Sequence, residues 1–339
     1  MQRGILIPLY VCFLFIAGLL WVMPGDSARG PRVVVYTSVD DIYAIPILRR
    51  FEAVTGIRVD AVFDTEATKA VSLANRIVAE RGRPRCDVFW NGEILRTLML
   101  EEAGVLEPYR SPSAVDIPRE WVDPQGHWTG FAARARVIVH RTDGGGRIPR
   151  TLEDLADPAW RGRVGFPRPF AGTGATHVAA LCQVLGQARA LDLLRRWKEN
   201  GLRLLPGNSM VRDAIVRGEL SVGVVDTDDV WVGKANGKPI DMVYPDAEGI
   251  GTLVIPNTVA LIRGAPHPTE ARRLIDWLLS VETEAELARS RSRQIPVRDL
   301  PVPDGVLPLA RIRTMKVVWD DLPRTLREVG LDLEALFRD

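Results

Sequence analysis

Of the 339 residues only three are cysteine and four are histidine, and lysine occurs five times against many arginines. The histidines, His127, His140, His177 and His267, are scattered and show no zinc-type spacing. Neither a Ser–His–Asp ordering nor a nucleophile elbow is present. These absences argue against a hydrolase built on an activated nucleophile and leave an enzyme reading resting on paired carboxylates alone. The chain also lacks a net field: its formal charge is +1 and no basic run is visible, which argues against nucleic acid as the main partner. The scarcity of lysine reflects genomic composition as readily as function. There is no internal repeat and no low-complexity segment.

What is present begins with the N-terminus. Arg3 precedes an apolar stretch from Ile5 to Met23, followed by Pro24, Gly25, Asp26 and Ser27. Residues 1–30 therefore read as an export signal, although the stretch is also long enough to remain as an uncleaved membrane anchor. Ser27-Ala28-Arg29 is a poor cleavage site, and Cys12 lies inside the apolar run rather than at a lipid-attachment position. The expected location is periplasmic or otherwise extracytoplasmic, with the N-terminus cleaved or kept as a tether. Export permits a disulfide between Cys86 and Cys182, but two cysteines carry no framework pattern. They are read as separate buried thiols.

At this length two domains are the natural expectation. From Pro31 strands and helices alternate: strand 33–37, helix 43–54, strand 58–63, helix 67–81, strand 86–90 and helix 93–102. That order predicts a parallel sheet with helices on both faces. An irregular Pro- and Trp-rich region, about 109–128, precedes a strand starting at Val137. Thr151-Leu-Glu-Asp154 resembles a capping-box helix start. A second series runs through strand 164–166, helices 174–186 and 189–200, strand 202–205, helix 209–217, strand 220–225 and a helix from about 228. Strand 258–262 and an amphipathic helix at 268–279 follow. The end, 305–339, reads as helical, with Trp319, Leu326, Leu331 and Leu336 as anchors. Two α/β series suggest two lobes with a cleft between them. Ligands in such sheets gather at the carboxyl ends of strands.

Those ends carry polar residues. Ser38, Asp40 and Asp41 follow the first strand, Asp64 and Glu66 the second, and Asn91, Gly92 and Glu93 the third. Helix capping explains Asp, Ser and Asn there as well as ligand contact does. Asn91 suffices as a cap, so Glu93 is assigned to the ligand. Phe170-Ala-Gly-Thr-Gly-Ala-Thr-His177 places small residues before an apolar helix, a ready anion site at Gly172, Thr173 and Gly174. Gly207-Asn208-Ser209 is read as a plain cap. Arg134 and Arg136, two apart at strand spacing, share a face. One is expected to support a carboxylate and the other to clamp an anion. Strand 220–225 ends in Asp226-Thr-Asp-Asp229. One aspartate suffices for a cap, so Asp226 is assigned to structure, and Asp228 and Asp229 to the cleft.

YTSVD at 36–40, FEAVTGIRV at 51–59, DVFWNGE at 87–93, WTGFAARARV at 128–137 and GTLVIPNTVALIRGAPHP at 251–268 resemble the ferric-ion-type periplasmic binding proteins of ABC importers. The resemblance runs over about 32–300, in order. It implies a two-lobed α/β, type II periplasmic-binding-protein fold with a ligand cleft, closing on its ligand and delivering it to a permease with a cytoplasmic ATPase. It places Gly172, Thr173 and Gly174 on the family's anion-binding turn and Arg134 at its anion-facing arginine. The family's ferric binders usually carry adjacent tyrosines where this chain has Thr227, Asp228 and Asp229, and a histidine where it has Val39 and Asp40.

The expected lobes are 32–130 plus 255–300 and 136–250 plus 301–339, with hinges near 130–136 and 250–256, in a monomer. Three readings of the site stay open. Ferric ion, or another hard cation with a synergistic anion, would take Glu93, Asp228 and Asp229 as oxygen donors. Ser38, Asp40, Asn91, Arg134 and residues 172–174 would complete the ligand site. Alternatively, a phosphonate or phosphate ester carrying an ammonium would satisfy both the turn and the aspartates. An exported carboxylate-based hydrolase is the distant third.

Overall fold

The computed structural model describes residues 30–64, 71–145 and 147–338. The segment read as an export signal or anchor, apart from Gly30, lies outside the described residues, as does Glu66.

Three parallel strands, β1 (Arg32–Thr37), β2 (Arg58–Phe63) and β3 (Val88–Asn91), stand in the order β2-β1-β3. Their helices explain themselves by spacing. In α1 (Asp41–Thr55) the buried residues Tyr43, Ala44, Ile47, Leu48 and Phe51 form one stripe. Gly56, at φ 69°, ends that helix in the left-handed conformation that glycine adopts freely. The helices α2 (Val71–Ala79) and α3 (Leu95–Glu102) follow.

The strand β10 (Val254–Ile262) returns antiparallel beside β3, buried along its whole length as its apolar run requires. Next to it lies β5 (Thr129–Arg141), thirteen residues long. The first part of β5 pairs with β10. From Arg136 on it pairs with β8 (Val222–Asp226) and β9 (Ile240–Val243) instead. Beyond β8 stand β6 (Val164–Pro167) and β7 (Arg203–Leu205), both parallel. One strand therefore runs from the first α/β series into the second. Along it, Ala132 takes φ 42° and the β10 register shifts between Ile255 and Asn257. The helices α4 (Gly172–Leu185), α5 (Gln187–Glu199), α6 (Asn208–Val216) and α7 (Thr227–Ala235) belong to the second series. Two apolar cores fill the opposite faces, because alternate strand residues such as Val35 and Tyr36 point to opposite sides.

Several expectations need correction. β5 starts at Thr129 rather than Val137, so Arg134 and Arg136 sit inside it. The bonds of the capping box form, Thr151 and Asp154 each accepting from the other's backbone N–H. The turn ends at Ala156 as a 3-10 helix, with Pro158 close behind. A helix at Val281–Arg289 (α9), after α8 (Pro268–Leu278), was not anticipated. In the C-terminal stretch the one α-helix is α10 (Leu322–Phe337), and Leu331 is 79% exposed on it rather than an anchor. Val329 and Leu333 hold that helix down instead. Cys86 and Cys182 are buried, separate and free. Among the described residues no helix is long and apolar enough to cross a membrane.

Candidate functional site

An open cavity of about 190 Å³ lies where the carboxyl ends of β1, β3, β6 and β8 meet the middle of β5. Ser38, Asp40, Gly92, Glu93, Arg134, residues 172–174, Asp228 and Asp229 line it, together with Asp226. Nine of the ten ligand-site residues read from the sequence are thus assembled there. The tenth, Asn91, is fully buried behind the wall. Its amide oxygen accepts from the Ser38 hydroxyl at 2.6 Å and its nitrogen donates to the Glu93 carbonyl.

Arg136 forms the floor. It is 0% exposed and donates from Nη1 to Asp226 Oδ1 at 2.7 Å, to Asn208 Oδ1 at 2.9 Å and to Thr173 Oγ1 at 3.2 Å. The other oxygen of Asp226 accepts from Thr173 Oγ1 and Asn208 Nδ2. A buried charge pair is tolerated only when the remaining donors and acceptors are matched in this way. Arg136 Nε also faces His177 Nδ1 at 3.4 Å. Burial, with the arginine's charge, pushes the imidazole well below its usual range, so His177 is a neutral acceptor.

Two residues along, Arg134 faces the cavity. Its Nε lies 3.5 Å from Asp228 Oδ2 and its Nη2 donates to Asn257 Oδ1 at 3.2 Å. Burial opposes the guanidinium charge. Asp228, Asp226, Asp40 and Asp229 outweigh it and hold the group above its ordinary value. A Cβ at Gly92 would come into van der Waals contact with Arg134 Nη1 at 3.4 Å. Asp229 faces Arg212 Nη1 at 3.9 Å, although Arg212 also bonds Asp213. Arg134 and Arg212 thus partly neutralise the aspartates.

The reading of Glu93 changes too. Its carboxylate accepts from the backbone N–H groups of Leu95 (2.6 Å) and Arg96 (3.0 Å) and from Thr176 Oγ1 (3.0 Å). Glu93 caps α3, the task expected of Asn91, and the positive helix end favours its charge. The cation-capable group in the cavity comprises Asp226, Asp228 and Asp229, whose carboxylate oxygens lie within 4.8 Å of one another, and does not include Glu93.

Asp226 makes no side-chain cap on α7. The N-cap residues of α4 and α6, Ala171 and Gly207, carry no capping side chain, and Asn208 bonds Asp226 and Arg136 instead. The first turns of α4 and α6 thus present backbone N–H groups to the cavity, beside Arg168. The α4 turn needs its glycines: Gly172 has φ 54°, and a Cβ on Gly174 would meet the Arg168 carbonyl oxygen at 2.8 Å.

Sequence reasoning missed Tyr43. It lies in the first turn of α1, 8% exposed, on the cavity wall, and its hydroxyl finds no hydrogen-bond partner among the described residues. Burial, then Asp228 and Asp40, push the phenol up to about 12. The available signal was its place three residues after Asp40, which one helical turn sets on the same side.

Over residues 97–322 the chain matches the family described as bacterial extracellular solute-binding protein, and it belongs to that family. It is 27% identical to iron uptake protein A1 of Synechocystis sp. over 85% of this chain and 80% of that one. It is 25% identical to the major ferric iron-binding protein of Neisseria meningitidis serogroup B, over 77% and 79%. The iron-bound HitA structure from Pseudomonas aeruginosa matches with a TM-score of 0.79 at 26% identity, covering 90% of this chain and 98% of that chain. The fold is the two-lobed α/β fold of type II periplasmic binding proteins, with the ligand cleft between the lobes.

Proposed function

We propose that this chain is the extracytoplasmic binding component of an ABC importer, capturing ferric ion together with a small anion and delivering it to the permease. The observation that carries the reading is the convergence in one cavity of the Asp228 and Asp229 carboxylates, the Tyr43 hydroxyl, which has no hydrogen-bond partner among the described residues, and two helix N-termini whose N-cap residues carry no capping side chain. Carboxylate and phenol oxygens are hard donors suited to a hard cation. The α4 and α6 turns and Arg134 would hold the anion, which supplies further oxygens and balances the metal charge. Ser38 and Asp40 complete the wall, while Asn91, Glu93 and Asp226 keep it in shape. Relatives named for iron uptake and for ferric iron binding support this reading.

In this reading the lobes are residues 32–130 plus 255–300 and 136–250 plus 301–339, hinged near 130–136 and 250–256. The partition is supported by β5 and β10, which run side by side where the pairing changes. Ligand contacts from both sides would exist only when the lobes close, so binding favours closure. The chain acts as a monomer, without catalysis, beside a permease and its cytoplasmic ATPase, and its N-terminal segment is cleaved or retained as a tether.

The test is titration with ferric citrate, followed by competition with a chelator. One ferric ion per chain, with visible absorption from phenolate-to-iron charge transfer, supports the proposal. A chain that takes no iron at a saturating ferric citrate concentration overturns it. Binding of a phosphate ester without metal would favour the organic-anion reading, for which Arg168 beside the first turns of α4 and α6 is the specific observation.

A further inference from the structure

Away from the cavity, the end of α3 meets a tight turn before β5. Glu101 belongs to the last turn of that helix. In the turn, Asp123 N donates to the Trp128 carbonyl, Gly126 N to the Asp123 carbonyl and His127 N to Asp123 Oδ2 at 2.6 Å. His127 Nδ1 is then held 3.1 Å from both Asp123 Oδ2 and Glu101 Oε1. The other Glu101 oxygen accepts from Trp128 Nε1 at 3.0 Å.

This group is short of positive charge. A single ring nitrogen cannot donate to two carboxylates at full strength. Asp123 is 1% exposed, and its Oδ1 finds no hydrogen-bond donor among the described residues. An acceptor buried without a partner is costly, the more so when it carries charge. Asp320, just before α10, adds a third carboxylate whose charge is felt by Glu101. Among the described residues no lysine or arginine forms an ion pair with Glu101, Asp123 or Asp320.

We propose that Glu101, Asp123 and His127 form a second cation site that takes a first-row divalent ion, with zinc as its best-fitting probe. Their ligand atoms all lie within 4.8 Å of one another. Bonds of 2.0–2.1 Å in tetrahedral array would separate donors by about 3.3 Å, close to the 3.1 Å already present between the imidazole and each carboxylate. One imidazole with carboxylates suits zinc or manganese better than calcium, which prefers an all-oxygen shell. The ion would relieve the orphaned Asp123 oxygen and join α3 to the turn. Through the charge of Asp320 it would also draw in the start of α10, which already meets α3 through Arg327 and Glu102. None of these side chains lines the ligand cavity.

The experiment uses the untagged full chain, stripped with chelator and titrated with zinc in a calorimeter. Wild type is expected to bind one ion at this site and to melt at a higher temperature with zinc. Glu101→Gln keeps an acceptor for Trp128 while removing the charge, and His127→Gln removes the nitrogen ligand; each is expected to weaken zinc at least tenfold. The Asp228→Asn/Asp229→Asn double variant should keep this zinc. If zinc binding is absent, survives both Glu101→Gln and His127→Gln, or is lost with Asp228 and Asp229 instead, the proposal is overturned. X-ray absorption of zinc-loaded wild type gives a check that does not depend on how variants fold: one imidazole ligand with oxygens supports the site, and no imidazole rules it out.

Discussion

Arg136 and Arg134 stand two residues apart on β5, yet the floor and the wall of the cavity use them in opposite ways. On the floor, Arg136 and Asp226 are fully buried and every partner is matched, including both Thr173 and Asn208. On the wall, Arg134 meets Asp228 as a 3.5 Å ion pair, and its buried Nε finds no hydrogen-bond acceptor among the described residues. The floor is a closed network that holds shape. On the wall Arg134 is left short of an acceptor and is able to exchange its partner for a ligand. Burial alone does not distinguish structural from functional charge; completeness of hydrogen bonding does.

The sharpest way to break the comparison is on the floor. Asp226→Ala leaves the Arg136 guanidinium buried and unpaired, and should destabilise the fold by about 3–5 kcal/mol in a denaturant melt. Adding Arg136→Met to that variant should recover part of the loss, because the uncompensated charge is then gone. A milder effect from Asp226→Ala than from Asp228→Ala would reverse the assignment of floor and wall.

On the wall the effect should move from stability to binding. Asp228→Asn keeps size and removes charge, and should lose on the order of 2–5 kcal/mol of ferric-ion affinity. Its melting temperature should stay near wild type. Calorimetric titration beside a thermal melt separates the two outcomes.

The third probe is pH. His177 is held neutral in the folded chain, its pKa pushed well below that of the unfolded chain. Between those two pKa values the unfolded state binds the extra proton, so stability is complete above about pH 6.5 and falls as pH drops, by roughly 1.4 kcal/mol per unit. Stability curves of wild type and His177→Gln between pH 7 and pH 5 should diverge accordingly. Parallel curves would mean that the imidazole titrates equally in both states.

The smallest stability effect is expected at Tyr43. Its hydroxyl has no hydrogen-bond partner among the described residues to lose, so Tyr43→Phe should shift folding free energy by less than about 1 kcal/mol. Ferric-ion affinity should fall and the visible absorption disappear. A fully coloured Tyr43→Phe complex would remove this residue from the metal.

Much of this arrangement was legible beforehand, because strand ends are marked by local chemistry. Apolar runs closed by Ser, Asp, Asn or Gly signalled the carboxyl ends of β1, β3 and β8, and α/β topology brings such ends together. Boundaries were less legible where two signals overlapped. The alternation of alanine and arginine in 132–136 obscured the start of β5, since small residues mark strand and loop equally. The C-terminal stretch misled because Leu331 fits a helical stripe whose facing neighbour is solvent. Partner choice was not legible at all: Glu93 rather than Asn91 caps α3, and Tyr43 reaches the cavity, through contacts between residues far apart in the chain or turned by a helix.

The sequence by itself determined the α/β alternation and the set of polar residues at the strand ends, because periodicity, composition and turn chemistry act over a few residues. Tertiary structure decided which carboxylate is answered by which arginine, which helix starts face the cavity and which hydroxyl reaches it. Those outcomes depend on distances of a few ångströms between side chains brought together from β1, β3, β5, β6 and β8. Electrostatic and hydrogen-bond energies change steeply over such distances, and local spacing does not encode them.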